Sequence, residues 1–394
     1  MAGSLLTLNA GSSSLKFALF GTEPEFTLRM RGEIEDLDAA PHLIARDAAG
    51  TVLADRCWPA DTNQAFDTIL GALLDFIDAH LGDDVLAAVG HRVVHGGADH
   101  IAPALITPAL MAALVALTPL DPLHMPHNLA PIRAVTAARP ALAQVACFDT
   151  AFHSTLPPVA GRFGLPRALA AAGVRRYGFH GLSYEYIAGR LKQTSPALAR
   201  SRVIVAHLGS GASLCALLDG RSIATTTGFS ALDGLVMATR CGSLDPGVIL
   251  YLGRQGHSFS DIEDMLYRRS GLLGVSGISG DVRVLLASDD QHAQEALELF
   301  TYRIAAEAAA MASALGGLDG FVFTAGIGEH APAIRAAVCE RMAWLGLRLD
   351  RDANMSGVAC ISSPDSMIEV RVIATDEEAM IARHTQTTVN RAVA

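Results

Sequence analysis

The sequence predicts an α/β fold made of two similar halves, and two observations lead to this prediction. Strand-like runs rich in β-branched residues alternate with segments of helical periodicity, the pattern of an α/β protein. A strand–turn–strand segment also occurs twice, at residues 6–19 and at residues 203–217, so that Gly11 aligns with Gly209 about half a chain away. Each Gly/Ser turn presents backbone N–H groups and hydroxyls that suit phosphate oxygens. The repeat therefore predicts a duplicated nucleotide-binding fold with a cleft between the halves.

The first half of the chain can be assigned element by element from its hydrophobic pattern. β-Branched runs indicate strands, apolar residues at helical spacing indicate helices, and Pro or Gly marks their ends. These signals predict, in order, a hairpin over 6–19, a helix over 65–77, a strand over 85–94, a helix over 129–138 and a buried strand over 143–148 that ends in Asp149.

The second half repeats this plan. Its signals predict a hairpin over 203–218, a glycine-rich stretch over 228–247, a helix over 293–315, a strand over 321–324, a helix over 332–344, a strand over 370–374 and a last helix from Asp376. We place the domain boundary near residue 150, which gives domains 1–150 and 151–377. The final helix, 378–394, could pack back onto the first domain.

Composition limits the class of partner. The chain has 394 residues, of which 51% are hydrophobic and 18% charged, enough for two domains with their own cores. Its net charge is −10 and its pI about 5.7, and it has no basic runs. This balance argues against nucleic acid as a partner, although a locally positive cleft could still bind a small anion.

The cysteine pattern and the apolar segments indicate a cytoplasmic protein. The six cysteines form no CxxC pair, so we expect neither disulfides nor a zinc site, as is usual in a reducing compartment. No basic stretch precedes the first apolar run, which argues against a secretory signal. Residues 101–120 carry no charge, but Pro103, Pro108 and Pro119 interrupt them, and we expect no membrane span.

Four polar residues of the first half lie at turns or strand ends, where open α/β sheets bind ligands. Asn9 could ligate a metal and Lys16 could neutralise phosphate, or both could simply belong to a surface turn. Arg92, in an apolar strand, needs either a bound anion or an ion-pair partner. Asp149 could act as a general base or a metal-associated acid, or it could cap a helix.

The second half offers a smaller set of candidates. His180 stands between glycines that would let a ligand approach, although a lone histidine is often structural. Arg240 lies in an apolar, glycine-bearing loop, and further turns occur at 280–283 and 326–330. No serine or cysteine nucleophile has an evident partner. This inventory favours phosphoryl transfer, which needs positioning and positive donors more than covalent help from the protein.

Seven motifs in order resemble those of the acetate kinases, members of the superfamily that joins acetate and sugar kinases with actin. The resemblance covers essentially the whole chain. The motifs are residues 9–16 (NAGSSSLK), 90–97 (GHRVVHGG), 148–153 (FDTAFH), 177–181 (YGFHG), 207–213 (HLGSGAS), 324–329 (TAGIGE) and 375–378 (TDEE).

The resemblance implies two ribonuclease-H-like domains of the actin-like ATPase type and a homodimer. It implies reversible transfer of the γ-phosphoryl of ATP to acetate, with Mg²⁺ or Mn²⁺ as cofactor and acetyl phosphate and ADP as products. Two alternatives stay open: a propionate or butyrate kinase of the same family, and a non-catalytic nucleotide-binding module. A dinucleotide-dependent oxidoreductase fits less well, because no strand–GxGxxG–helix segment occurs early in the chain.

The resemblance also implies roles for individual residues. Asn9 and Glu377 would hold the metal, with Glu378 as a neighbouring alternative to Glu377. Arg92 would bind the substrate carboxylate, and Asp149 would be a catalytic acid/base or an orienting carboxylate. The remaining assignments are His180 and Arg240 for transition-state stabilisation, and Ser12 and Lys16 for phosphate contacts.

Nucleotide and acyl-group contacts follow in the same way. The implied nucleotide residues are His207, Leu208, Gly209, Ser210, Gly211, Asp281, Val282, Arg283, Gly326, Ile327, Gly328, Glu329 and His330. The implied acyl pocket contains Arg92, Val93, Leu123, Phe179 and Ala231. The family commonly has Asn at position 210 and Pro at position 231. Ala231 leaves the acyl chain length open, because one methylene is worth only about 1–3 kcal/mol of discrimination.

Overall fold

The structure, a computed structural model, describes residues 3–11, 14–22, 26–37, 39–58 and 66–393. The chain divides into two compact units. Unit 1 comprises Met1–Ala151 and Asp376–Ala394, and unit 2 comprises Phe152–Thr375. Each unit contains one β-sheet.

The described part of the chain contains thirteen strands. They are β1 (Ser4–Ala10), β2 (Leu15–Gly21), β3 (Thr27–Glu35), β4 (His42–Asp47), β5 (Val52–Cys57), β6 (Leu86–Val93), β7 (Ala104–Leu105), β8 (Ala143–Phe148), β9 (Arg202–Leu208), β10 (Ala212–Leu218), β11 (Arg221–Thr225), β12 (Gly320–Thr324) and β13 (Glu369–Val372).

Fifteen α-helices occur in the same described ranges, and none of them is long and apolar enough to cross a membrane. They are α1 (Phe66–Ala79), α2 (Pro108–Ala116), α3 (Met125–Ala138), α4 (Arg167–Ala171), α5 (Gly181–Thr194), α6 (Pro196–Ala199), α7 (Pro246–Arg254), α8 (Phe259–Arg268), α9 (Gly271–Ser276), α10 (Val282–Leu286), α11 (Gln291–Leu315), α12 (Ala325–His330), α13 (Pro332–Arg341), α14 (Arg351–Ser356) and α15 (Glu377–Val393).

The two sheets share one strand order. In unit 1 the order is β5-β4-β3-β2-β1-β6-β8-β7, and in unit 2 it is β11-β10-β9-β12-β13. Five strands correspond: β3-β2-β1-β6-β8 in unit 1 and β11-β10-β9-β12-β13 in unit 2. In both sets the first three strands are antiparallel neighbours, and the last two run parallel to the middle strand of the set. The predicted α/β fold class and its duplication are therefore confirmed.

Helix α11 shows how composition fixes packing in unit 2. Its buried positions recur at helical spacing and include the small residues Ala293, Ala296 and Ala308, which let the helix lie close to the sheet. The helix ends at Gly316, which adopts φ 69°, a left-handed conformation that favours glycine. Both the helix and its end agree with the prediction from sequence.

Some predicted boundaries were wrong. Helix α3 begins at Met125 rather than at 129, because Pro126 lies in the first turn, where a missing N–H costs nothing. Helix α13 ends at Arg341, short of the predicted 344, and a 3-10 turn follows over Ala343–Leu345. Strands β3 to β5 were not predicted, because their exposed outer positions weaken the hydrophobic pattern.

A buried asparagine ties two strand ends together in unit 1. Asn128, on α3, is only 1% exposed. Its Oδ1 accepts a hydrogen bond from the Val94 N–H at 2.7 Å, and its Nδ2 donates to the Ala10 carbonyl oxygen at 2.8 Å. These backbone groups adjoin Asn9 on β1 and the carboxyl end of β6, so the side chain fixes the spacing of the two strand ends.

Close packing against a glycine holds α15 on the sheet of unit 1. The helix contacts β1, β6 and β8. A Cβ atom on Gly90 of β6 would lie 2.1 Å from Thr385 Oγ1 and 2.6 Å from Ile381 Cγ2. The missing side chain at position 90 therefore sets how closely the helix approaches, and with it the position of Glu377 at the start of α15.

We predict that Gly90→Ala lowers the free energy of unfolding by about 1–3 kcal/mol, because the added methyl group overpacks the contact with α15. Equilibrium unfolding in urea measures the change. Gly71→Ala is the matched control, because it lies in α1 of the same unit and its Cβ would meet no heavy atom within 4 Å. That control should be neutral or stabilising by roughly 0.5–1 kcal/mol. A Gly90→Ala protein as stable as the control would contradict the packing argument.

We predict that Asn128→Ala lowers the free energy of unfolding by about 1–3 kcal/mol for each of the two backbone groups that it leaves unpaired. The same urea titration measures this loss. Arg133→Ala, at an exposed position of the same helix α3, should change stability by no more than about 0.5 kcal/mol. Equal stability of the two variants would show that Asn128 does not hold the strand ends.

Candidate active site

Three neighbouring strands of unit 1 bring predicted residues to one edge of the sheet. Strands β1, β6 and β8 are adjacent and parallel, so their carboxyl ends meet. Asn9 lies near the end of β1, Arg92 near the end of β6, and Asp149 directly after β8. This edge is where open α/β sheets place their ligands.

Arg92 and Asp149 form a buried ion pair. Arg92 Nε and Nη2 donate to the same carboxylate oxygen, Asp149 Oδ2, at 2.9 and 2.5 Å. The Asp149 side chain is 1% exposed and that of Arg92 is 17% exposed. Burial by itself lowers the pKa of Arg92, but attraction to Asp149 and Glu377 more than offsets it, so that pKa lies above its usual value. The guanidinium is therefore a permanent cation at this edge.

Asp149 keeps an unused acceptor. Among the described residues, no group hydrogen-bonds to its buried Oδ1. An unpaired buried carboxylate oxygen is costly, so this oxygen is available to accept a hydrogen bond from a bound molecule. Arg92 Nη1 also lies 3.5 Å from Asn9 Oδ1, which connects the ion pair to the end of β1.

Asn9, near the start of the chain, hydrogen-bonds to the first two residues of α15, near its end. Its Nδ2 donates to Glu377 Oε2 at 3.1 Å and to Glu378 Oε1 at 3.3 Å. Burial raises the pKa of Glu377 to about 7, and the neighbouring carboxylates of Asp149 and Glu378 act in the same direction. The negative groups here outnumber the single guanidinium, so the edge is suited to a further cation.

The donor set fits a magnesium ion. Carboxylate and carboxamide oxygens are the ligands that Mg²⁺ prefers, and the ion commonly uses one or two carboxylates together with water and substrate phosphates. Among the described residues, no three His, Cys, Asp or Glu side chains gather into a complete metal cage. Both Glu377 and Glu378 contact Asn9, so the choice between them stays open.

One further acid near Arg92, Asp121, was not predicted. Asp121 is 1% exposed, and its Oδ1 accepts hydrogen bonds from the backbone N–H of His124 at 3.2 Å and from its Nδ1 at 2.8 Å. The Asp121 carboxylate also contributes to the raised pKa of Arg92. The sequence gives one local signal, the spacing of three residues between an acid and a histidine, but it does not place them beside Arg92.

Lys16 lies opposite Asn9 in the register of the first hairpin. It is exposed and lines a surface concavity of about 440 Å³ together with Arg31, Asp376 and Glu378. Ser12, predicted as a phosphate contact, lies outside the described residues.

In unit 2, His180 occupies an unusual backbone conformation just before α5. Its φ and ψ are 58° and 25°, in the left-handed region that few non-glycine residues adopt. Its Nδ1 lies 2.7 Å from Ser213 Oγ, and its ring stacks on that of His207 with centroids 4.2 Å apart. Strain of this kind collects at functional sites, which favours the functional interpretation of His180.

Arg240 and His180 converge on the second Gly/Ser turn. A Cβ atom on Gly211 would lie 3.1 Å from both Arg240 Nη2 and His180 Nε2. Arg240 Nη1 donates to the Ala231 carbonyl oxygen at 2.7 Å, which anchors the guanidinium. Two side-chain nitrogens from separate segments thus flank one glycine.

Three predicted nucleotide segments share a cavity in unit 2. Its volume is about 640 Å³. The lining residues are Gly209, Ser210, Ala238, Gly280, Asp281, Val282, Arg283, Gly326, Ile327, His330 and Ala331. Ala238, Gly280 and Ala331 were not predicted, and each adjoins a predicted segment or the loop before Arg240. The predicted residues His207, Leu208, Gly211, Gly328 and Glu329 do not line this cavity.

Two of these five residues, Gly328 and Glu329, are held by hydrogen bonds next to the cavity-lining segment. A buried arginine, Arg335, donates to the carbonyl oxygens of Gly328 and Glu329 at 3.0 and 2.8 Å. The Glu329 carboxylate accepts a hydrogen bond from the Thr375 N–H at 3.2 Å. Arg335 was not predicted, because nothing in its local sequence distinguishes it from a surface arginine of α13.

The predicted acyl-pocket residues are mostly buried. Val93 belongs to unit 1 and is fully buried, and Leu123 of the same unit is partly exposed. Phe179 and Ala231 belong to unit 2 and are 2% and 7% exposed. Their common role in binding an acyl group stays a prediction.

Comparison with known proteins gives one family over nearly the whole chain. The profile of the acetokinase family matches residues 4–383. An acetate kinase from Rhodopseudomonas palustris is 56% identical over 391 residues, which cover 98% of each chain. The structure of a propionate kinase from Francisella tularensis aligns with a TM-score of 0.90 at 35% identity, covering 98% of this chain and 99% of that one.

An acetate kinase structure from Porphyromonas gingivalis gives a TM-score of 0.85, also at 35% identity, covering 98% of this chain and 100% of that one. These neighbours, with the two sheets described above, confirm the predicted fold class of two ribonuclease-H-like domains. The match exceeds by far what a shared fold alone would give, because identity and coverage are both high. The chain belongs to the acetokinase family.

Proposed function

We propose that the protein catalyses reversible, Mg²⁺-dependent transfer of the γ-phosphoryl group of ATP to acetate, giving acetyl phosphate and ADP. The observation that carries this proposal is the convergence of His180 Nε2 and Arg240 Nη2 on Gly211. Phosphoryl transfer spreads negative charge over the oxygens of the moving group, and fixed donors aimed at one point stabilise that charge. Membership of the acetokinase family supports the carboxylate acceptor.

Unit 1 supplies the groups that would handle the acceptor. The guanidinium of Arg92 would bind the acetate carboxylate, since it keeps its charge and is held by Asp149. The free Oδ1 of Asp149 would orient the reacting group. When bound, Mg²⁺ would neutralise phosphate charge, and Asn9 with Glu377 or Glu378 would hold it.

Unit 2 supplies the groups that would handle the nucleotide. The cavity of about 640 Å³ has the size of a small-molecule site, and its walls are mostly backbone and small side chains. Backbone N–H groups of the turn at 209–211 would bind phosphate oxygens. His180 and Arg240 would then donate hydrogen bonds to the transferring group as its charge develops.

A propionate kinase is the second candidate, and a specific observation favours it. The structure from Francisella tularensis, which resembles this chain at a TM-score of 0.90, is that of a propionate kinase. The family resemblance also puts the small residue Ala231 at the wall of the acyl pocket.

We also propose, from the family resemblance, that the protein is a homodimer and that it is cytoplasmic. Light scattering of the purified protein would test the dimer, because it measures the molar mass.

The proposed activity is tested by one coupled assay of ADP formation with acetate, propionate and butyrate as separate acceptors. We expect the highest kcat/KM with acetate. A higher value with propionate would establish the second candidate. Absence of turnover with all three acids, in a protein that still binds ATP, would leave only a nucleotide-binding module.

We predict that Arg240→Ala lowers kcat by about 10²- to 10³-fold while ATP affinity stays nearly unchanged, because this donor acts mainly on transition-state charge. Steady-state kinetics and calorimetric titration with ATP measure the two effects. Arg283→Ala is the contrasting variant, since Arg283 lines the nucleotide cavity and is 91% exposed. It should raise KM for ATP more than it lowers kcat. Equal losses of kcat and affinity in Arg240→Ala would refute the assigned role.

A further inference from the structure

We propose that Tyr184 and Ser213 are positioning residues that fix which ring nitrogen of His180 carries the proton and hold that N–H toward Gly211. The effect on turnover rests on the proposed function, whereas the proton placement does not. The two residues are fully buried and lie outside the motifs' assigned nucleotide, metal and acyl contacts.

A short chain of hydrogen bonds connects the three side chains. Tyr184 OH lies 2.5 Å from Ser213 Oγ, and Ser213 Oγ lies 2.7 Å from His180 Nδ1. His180 directly precedes α5, and Tyr184 lies in the first turn of that helix, where its backbone N–H donates to the His180 carbonyl oxygen at 3.1 Å. Ser213 comes from β10, where it pairs with His207 of β9. These hydrogen bonds therefore connect helix α5 with strand β10 of the sheet.

The direction of the protons follows from the donors available. Burial raises the pKa of Tyr184 well above its usual value, so its hydroxyl keeps the proton. Among the described residues, Ser213 is the only hydrogen-bond partner of that hydroxyl. Tyr184 therefore donates to Ser213 Oγ, and Ser213 donates to His180 Nδ1. The reverse direction would bury the tyrosine proton without an acceptor, which is unfavourable.

This arrangement leaves the proton of neutral His180 on Nε2. Nε2 is the atom that, with Arg240 Nη2, flanks Gly211 at a distance of 3.1 Å from the position of its missing Cβ. We call the hydrogen-bonded series Tyr184–Ser213–His180 the relay. The relay makes Nε2 of the neutral imidazole a fixed donor, whereas without it the same atom could equally be an acceptor. Fixing the donor before the reaction avoids reorganisation during it.

Two further features hold the ring in place. The ring of His207 stacks on that of His180 with an interplanar angle of 15°. His207 Nδ1 in turn lies 2.8 Å from Ser183 Oγ, and Ser183 Oγ lies 2.9 Å from Thr375 Oγ1. The backbone strain at His180 is maintained by these contacts, which is expected where the direction of a side chain matters.

Nuclear magnetic resonance of the protein labelled with ¹⁵N-histidine tests the proton placement directly. Two-bond ¹H–¹⁵N spectra distinguish the two tautomers, and His180→Gln assigns the signal. At a pH where the ring is neutral, we expect the Nε2–H tautomer in the unmodified protein. We expect a mixture of tautomers in Ser213→Ala and in Tyr184→Phe. A dominant Nδ1–H tautomer, or one unchanged in both variants, would overturn the proposal.

Turnover gives the second measurement. Tyr184→Phe should lower kcat about 3- to 10-fold, the effect of weakening one hydrogen bond to a catalytic group, with KM for ATP within about twofold. Tyr177→Phe is the matched control, because it removes a hydroxyl that donates to the Gly173 carbonyl oxygen at 2.8 Å in the same unit. The control should keep the normal kcat and the normal His180 tautomer.

The two measurements separate the possible failures. A loss of kcat equal in Tyr184→Phe and Tyr177→Phe would show a merely structural role and refute the positioning role. If the unmodified protein lacks kinase activity but shows the expected tautomers, the proposed function fails and the relay stands. If Tyr184→Phe does not fold, Ser213→Ala supplies the same tautomer test.

Discussion

The buried pair of Arg92 and Asp149 is the interaction on which the site of unit 1 depends. A guanidinium at the end of a buried strand is stable only if its charge is met, and a buried ion pair is costly to break on one side. Asp149 meets that charge with one oxygen and leaves the other without a partner among the described residues. The pair thus combines a permanent cation with a free acceptor at one sheet edge. Asn9 adds its carboxamide to this edge, and the start of α15 adds the carboxylates of Glu377 and Glu378. The edge therefore carries groups of the kinds that bind anions and metal ions.

The two units share one strand order but carry different polar side chains on corresponding strands. In unit 1, the hairpin of β1 and β2 places Asn9 beside carboxylates from the start of α15. In unit 2, the corresponding hairpin of β9 and β10 carries His207 and Ser213 on opposite strands, and both face polar partners near the start of α5. The backbone of the hairpin is thus repeated, whereas its side chains differ: an asparagine beside two carboxylates in unit 1, and histidine and serine side chains hydrogen-bonded to polar side chains near the start of α5 in unit 2.

Local signals explain which parts of the fold and site could be predicted from the sequence. Strand β8 and helix α11 carry complete patterns of hydrophobicity and end signals, so their positions were found from the residues alone. Strands β3 to β5 have exposed positions that blur the pattern. The meeting of Asn9 with Glu377 joins opposite ends of the chain, and only the family resemblance indicated it. Tyr184 and Ser213 were missed as a pair, because a tyrosine one helical turn after a histidine is ordinary unless the facing strand is known.

The two Gly/Ser turns differ in what surrounds their glycines. A Cβ atom on Gly11 would meet the Ser14 carbonyl oxygen at 3.5 Å, an ordinary contact. A Cβ atom on Gly211 would come within 3.1 Å of two side-chain nitrogens, those of His180 and Arg240. Among the described residues, packing leaves room for a methyl group at Gly11, whereas a methyl group at Gly211 would crowd the side chains of His180 and Arg240. Gly211 is not the counterpart of Gly11 in the repeat, since Gly11 aligns with Gly209. The two turns therefore look similar in sequence, and the crowding at Gly211 appears only when the side chains around it are known.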